Sequence, residues 1–232
     1  MMRMSWQRDA RSKPQPSSAP TRGPNTTPQH ANIATMTAGE GSAAAAAASS
    51  SSDMPTSPSP KPVSVLFVCL GNICRSTMAE GVFQSLTSSP QHPLISHIDS
   101  CGTGAYHIGD GPDSRTMSTL ASHGVTTYRH RARKFSPSSD FTTFDYILAM
   151  DDDNLDDLER LREREVKKRG GEMGVGKVML FGEFGGKKRR GDRGEEIEDP
   201  YYGKKDGFEK AWEQSVRFGK AFLEGLERGE LS

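Results

Sequence analysis

A cysteine and an arginine stand at the spacing Cys-x5-Arg in Cys69-Leu70-Gly71-Asn72-Ile73-Cys74-Arg75-Ser76, where an apolar run gives way to a helix-forming one. The run before it, Val63-Ser64-Val65-Leu66-Phe67-Val68, is apolar and β-branched on both faces, as in a strand covered by helices on either side of a parallel sheet. Thr77-Met78-Ala79-Glu80-Gly81 continues as helix. A loop between strand and helix aims several backbone N–H groups at one point, and the helix start adds unpaired N–H groups and a positive dipole end. Such a hollow binds an anion. Gly71 and Asn72 suit the left-handed turns that build it, and Arg75 can fold back to offer a planar fork to two phosphate oxygens. A cysteine on the floor of the loop feels the same field, so its thiol is expected to ionise below the value of about 8.5 of a free cysteine. The chemistry indicated is phosphoryl transfer to sulfur. The competing reading, a structural cysteine followed by an arginine at a helix start, is disfavoured by the strand–loop–helix context.

The elements that must position this loop follow in order. Met78, Val82 and Leu86 recur four apart, so a helix with one apolar stripe is expected from Arg75 to Leu86. Ile98 to Gly104 reads as a short strand with a glycine-rich end, followed by Tyr106, His107 and Gly109. Pro112 and Asp113 open a second helix carrying Met117, Leu120 and Ala121, which ends at Gly124. Asp145 to Met150 is the next strand. Asp151-Asp152-Asp153-Asn154 supplies an N-cap and negative charge to a helix bearing Leu155, Leu158 and Leu161; a bound cation is the alternative for these aspartates. Lys177 to Gly182 gives a fourth strand, flanked by charged, glycine-rich stretches at Arg162 to Gly176 and Glu183 to Ile197. Within the latter, Lys187-Lys188-Arg189-Arg190 reads as a solvated loop in preference to a nuclear signal or phosphate patch. Phe208, Trp212, Val216, Phe222 and Leu226 keep helical spacing to the end, as core and not as a cofactor box. Strand–helix alternation implies an α/β fold, a parallel sheet with helices on both faces and ligands beyond the carboxyl ends of its strands.

The stretch from Cys69 to Glu80 resembles the signature of the low-molecular-weight protein tyrosine phosphatases, and the likeness runs nearly to the C-terminus. It implies a four-stranded sheet in the flavodoxin-like order 2-1-3-4. It also implies hydrolysis of phosphotyrosine and small aryl phosphates through a phosphocysteine at Cys69, with Arg75 and loop residues Leu70, Gly71, Asn72, Ile73, Cys74 and Ser76 holding the phosphate and no metal or cofactor. Asp199-Pro200-Tyr201-Tyr202 taken alone is an ordinary turn; by resemblance Asp199 is the general acid and base. By the same resemblance Asn72, Ser100 and His130 form a polar network under the loop, and Ile73, Tyr106, Tyr201 and Tyr202 wall a slot for the substrate ring. Ser76 is expected to donate to the Cys69 thiolate, and Cys74 to form a reversible disulfide with Cys69. Thr77, Cys101 and Tyr106 depart from the proline, alanine and tryptophan common in the family, which bears on substrate preference more than on chemistry. An arsenate reductase of the same fold would need further cysteines, and only Cys101 remains downstream. A non-catalytic phosphotyrosine-binding module would be expected to lack the cysteine, arginine or acid.

Composition bounds the rest. Lysine plus arginine and aspartate plus glutamate are balanced at 30 each, so net charge argues neither for nucleic acid nor for an acidic partner, and no nucleic-acid partner is expected. No run approaches the ~18 apolar residues of a membrane span. Three cysteines without a secretory signal fit a reducing compartment and a cytoplasmic protein. Residues 1–62, rich in Ser, Pro and Ala, bury too little apolar surface to offset their ordering entropy and are expected to be a disordered tail, with Ser57-Pro58 and Ser59-Pro60 as phosphorylation candidates. Arg3, Arg8, Arg11 and Arg22 would suit a mitochondrial presequence, but dispersed prolines oppose its amphipathic helix. Residues 63–232 form the expected catalytic domain.

Overall fold

The apolar run that leads to Cys69 is strand β1, Val63–Cys69, buried along nearly its whole length. A computed structural model describes residues 61–188, 194–203 and 206–231. The readings made for residues 1–60 and for Arg189-Arg190 therefore lie outside the described residues. After β1 come α1 (Arg75–Thr87), β2 (Ile95–Gly102), α2 (Ser114–Ser122), α3 (Pro137–Thr143), β3 (Tyr146–Ala149), α4 (Asp152–Arg169), β4 (Lys177–Leu180) and α5 (Gly207–Glu227). The strands form one sheet in the order β2-β1-β3-β4, every pair parallel.

Alternation along β1 sends its side chains into two separate cores. Val65, Phe67 and Cys69 face Phe83 of α1 and Phe218 and Phe222 of α5. Leu66 and Val68 face Phe141 of α3 and Leu155 and Leu158 of α4. On the first face Phe67 meets Phe83 and Phe181 edge-on, with centroids 5.4 and 5.0 Å apart, the arrangement that aromatic quadrupoles favour. Beyond it, Met78 and Val82 of α1 pack on Leu120, Tyr128 and Phe208, which fixes α2 against α1. The loop between β1 and α1 is thus anchored at both ends in close-packed structure.

Three local features differ from expectation. The third anticipated helix, α4, continues past Leu161 to Arg169, because Glu165 pairs with Arg169 at 2.6 Å one turn on, basic residues crowd the negative end of the helix, and Gly170 (φ 77°) closes it. Helix α3 was not foreseen: its seven residues are too few to show a period, although Pro137 at its first turn favours a helix start. Strand β2 begins at Ile95 and not at Ile98; it lies at the sheet edge, where exposed Ser96 and His97 hide the alternation. Among the described residues no helix is long and apolar enough to cross a membrane.

Candidate functional site

At the carboxyl end of β1 the chain turns at Asn72, which takes the left-handed conformation (φ 57°); Gly71, expected to share it, has no positive φ. Space around the glycine is tight instead. A Cβ at Gly71 would lie 3.2 Å from the ring of His107. Asn72 is buried and uses both ends of its amide. Its Nδ2 donates to Ser76 Oγ (3.0 Å) and Ser100 Oγ (2.9 Å), while Oδ1 accepts from the backbone N–H of Arg133 (2.9 Å) and lies 2.9 Å from His130 Nε2. Beneath this amide is Glu80, whose Oε2 accepts from Ser100 Oγ (2.7 Å) and Tyr128 OH (2.8 Å) and meets His130 Nδ1 at 3.1 Å. Burial, then the charge of Glu80, pushes the Tyr128 phenol upward, so it stays a donor. Glu80, Asp99 and His130 come close enough to hold a cation, their ligand atoms lying within 4.8 Å of one another. Protein hydrogen bonds already occupy Glu80 and His130, so the cluster serves the loop.

Cys69, almost fully buried, ends β1. Asn72 N donates to its Sγ at 3.3 Å, and Ser76 Oγ is 3.0 Å away. Because Ser76 accepts from Asn72 Nδ2, its own O–H is left for the sulfur. Arg75 begins α1 with a buried guanidinium held by the Asp151 carboxylate, by Ile197 O (3.3 Å) and, more loosely, by Asp199 Oδ2 (3.5 Å). Burial opposes its charge, yet negative charge at Cys69, Asp151 and Asp199 prevails and holds its ionisation above the ordinary value. Sequence reasoning gave Asp151 a capping role, with a bound cation as the alternative, and no link to Arg75. It does cap α4, accepting from Asn154 N at 2.7 Å, but its other oxygen takes Arg75. The signal was its place at the carboxyl end of the strand beside β1.

Asp199 Oδ1 accepts from Tyr201 N at 3.0 Å, and its side chain is 43% exposed at the mouth of a cleft of about 380 Å³. Cys69 and Arg75 form the floor; Ile73, Tyr106, Tyr201 and Tyr202 line the sides with His107, which sequence reasoning did not single out. A larger hollow of about 690 Å³ adjoins Asp199, but its carboxylates, among them Glu195, Glu196, Glu198 and Glu213, outnumber Lys210 and Arg217 and disfavour an anion. Cys74 is buried beside the cleft, and burial, then the charges of Asp113, Cys69 and Asp199, push its thiol up to about 12. Cys101 is wholly enclosed, and burial raises its thiol also. All three cysteines are free thiols.

Comparison with known proteins adds three findings. The family model described as low molecular weight phosphotyrosine protein phosphatase matches residues 64–230. Proteins of that name from Schizosaccharomyces pombe and Homo sapiens are 46% and 44% identical to the chain, covering 71% and 69% of it and 97% and 94% of their own lengths. Among solved structures, a protein tyrosine phosphatase from Entamoeba histolytica (33% identity, TM-score 0.59, 72% of this chain and 99% of that one) has this fold. So does a Drosophila arginine phosphatase (34% identity, TM-score 0.61, 71% and 98%).

The Asn72 bonds make a direct prediction. Asn72→Gly keeps the left-handed turn and removes only the amide, so it is expected to cost about 1–3 kcal/mol by stranding buried donors. Urea denaturation of the full chain measures this, and unchanged stability would show that the amide does not hold the loop.

Proposed function

The chain belongs to the low molecular weight phosphotyrosine protein phosphatase family, and from that premise we propose that it hydrolyses aryl phosphate monoesters, phosphotyrosine above all, in two steps through Cys69. In the first, Cys69 Sγ attacks phosphorus, the bond from phosphorus to the aryl oxygen breaks, and Asp199 gives its proton to the departing oxygen. In the second, water attacks the phosphocysteine, the S–P bond breaks, and the Asp199 carboxylate takes the water's proton. The products are the phenol and inorganic phosphate, and both cysteine and acid are restored. Loop N–H groups and the Arg75 fork face the phosphoryl oxygens in both steps, where charge spreads in the transition state.

The observation that carries this reading is the convergence of Cys69, Arg75 and Asp199 on one cleft, with donors from Asn72 and Ser76 directed at the sulfur. Those donors stabilise an anionic nucleophile. Ile73 and the rings of Tyr106 and Tyr201 offer flat apolar walls suited to a phenyl ring. The name borne by the Drosophila relative makes a phosphoguanidine the comparison substrate.

Cys74 gives the same site a redox response. Peroxide converts the Cys69 thiolate to a sulfenic acid; the Cys74 thiol then attacks that sulfur, expelling hydroxide that leaves as water with the Cys74 proton and forming the disulfide.

With p-nitrophenyl phosphate, Cys69→Ser is expected to abolish turnover and Asp199→Ala to slow it by about 10²–10⁴-fold. Equal activity in both variants and the native enzyme would end the proposal. After brief peroxide treatment, intact-mass analysis should show the loss of two hydrogens and recovery with thiol. Accumulation of sulfinic acid on Cys69 alone would remove Cys74 from the redox scheme.

A further inference from the structure

Arg115 lies outside the cleft, and neither step above uses it, yet its guanidinium joins the two halves of the site. Nε and Nη2 grip the Asp113 carboxylate in a fork (2.9 Å to Oδ1, 2.8 Å to Oδ2). Asp113 is the N-cap of α2, and its backbone N–H donates to Ile73 O in the phosphate loop at 2.8 Å. The remaining arm, Nη1, donates to Tyr201 O at 3.1 Å. The guanidinium carbon also lies 4.5 Å from the ring centroid of Phe208 and 5.3 Å from that of Tyr201. Tyr201 is the residue whose N–H holds the Asp199 carboxylate at 3.0 Å. Its peptide units are therefore held on one side by the acid and on the other by Arg115.

We propose that Arg115 is a positioning residue for the general acid, tying the segment that carries Asp199 to the phosphate loop through Asp113. The inference rests on the reading of Asp199 as the acid. With its guanidinium half exposed to water, the pair adds little to stability, so its value lies in geometry. Misplacing an acid by about 1 Å can cost on the order of 10²-fold in rate. The requirement is for a fork: lysine can pair with Asp113 but cannot hold both carboxylate oxygens and reach Tyr201 O as well. Hydrogen bonding from Arg115 keeps Asp113 below the usual carboxylate range, so the anchor stays charged in mild acid, where a carboxylic acid donor is protonated.

The test measures kcat/KM of the full chain on two esters, phenyl phosphate, whose leaving group needs a proton, and dinitrophenyl phosphate, whose leaving group departs with little help. Arg115→Ala is expected to lower the first about 10-fold and the second less than about 3-fold, with inhibition by inorganic phosphate unchanged. Arg115→Lys should behave nearly as Arg115→Ala does. In the Asp199→Ala background the same substitution should change the phenyl ester rate less than about 2-fold, since the acid it positions is gone. Equal losses on both esters, weakened phosphate inhibition, full activity in Arg115→Ala, or additive losses in the double variant would each overturn the proposal. Should Asp199→Ala itself show no dependence on the leaving group, the acid reading beneath it falls instead.

Discussion

One buried amide closes the loop on which every other feature of the site depends. Asn72 bonds forward to Ser76 in α1, sideways to Ser100 in β2, and outward to His130 and Arg133. Because these partners come from separate elements, the left-handed turn at Asn72 is held in place before any anion arrives. Donors that are already aimed need no reorganisation as charge develops, and this is where such sites derive most of their catalytic effect. Glu80 completes the brace by accepting from Ser100 and Tyr128, with His130 Nδ1 3.1 Å from the same oxygen; Ser100 and His130 are also partners of Asn72.

Arg75 raises the opposite problem, a buried cation that must be stable by itself and, in the proposed reaction, still available to a phosphoryl group. Asp151 meets the first need from the end of β3, and Ile197 O adds a neutral acceptor. Asp199 touches the same guanidinium only at 3.5 Å, a looser contact than that of Asp151, which suits the acid role proposed for it. The fold makes the arrangement possible because β1 is central and parallel to its neighbours. The carboxyl ends of β1 and β3 therefore bring Cys69 and Asp151 to one edge of the sheet, and the segment after β4 supplies Asp199.

How much of this was legible in the sequence depended on how local each interaction is. Cys69 to Ser76 is one unbroken stretch between a recognisable strand and helix, so the strand–loop–helix turn was readable from residue types and spacing, and the phosphoryl transfer proposed for it starts from there. The long apolar runs likewise announced the sheet, and the stripe Met78, Val82, Leu86 its first helix. Asp199 became the proposed acid only through family resemblance, since an Asp-Pro turn carries no chemistry of its own. Partnerships across long separations left no local trace: Glu80 with Tyr128, Arg75 with Asp151, and Arg115 with Tyr201 join residues 48, 76 and 86 positions apart. The last half of α4 was hidden differently, because a charged run without apolar periodicity looks the same in a solvated loop and in a solvated helix face.

The central claim is that the phosphoryl group passes through the sulfur of Cys69. Rapid quenching of the native enzyme during turnover of an aryl phosphate, followed by mass analysis of the peptide containing Cys69, tests it most directly. Phosphate on Cys69, formed and lost within a turnover, is the expected result. A phosphorylated residue other than Cys69, or no covalent species at any time while phosphate is released at the full rate, would contradict it.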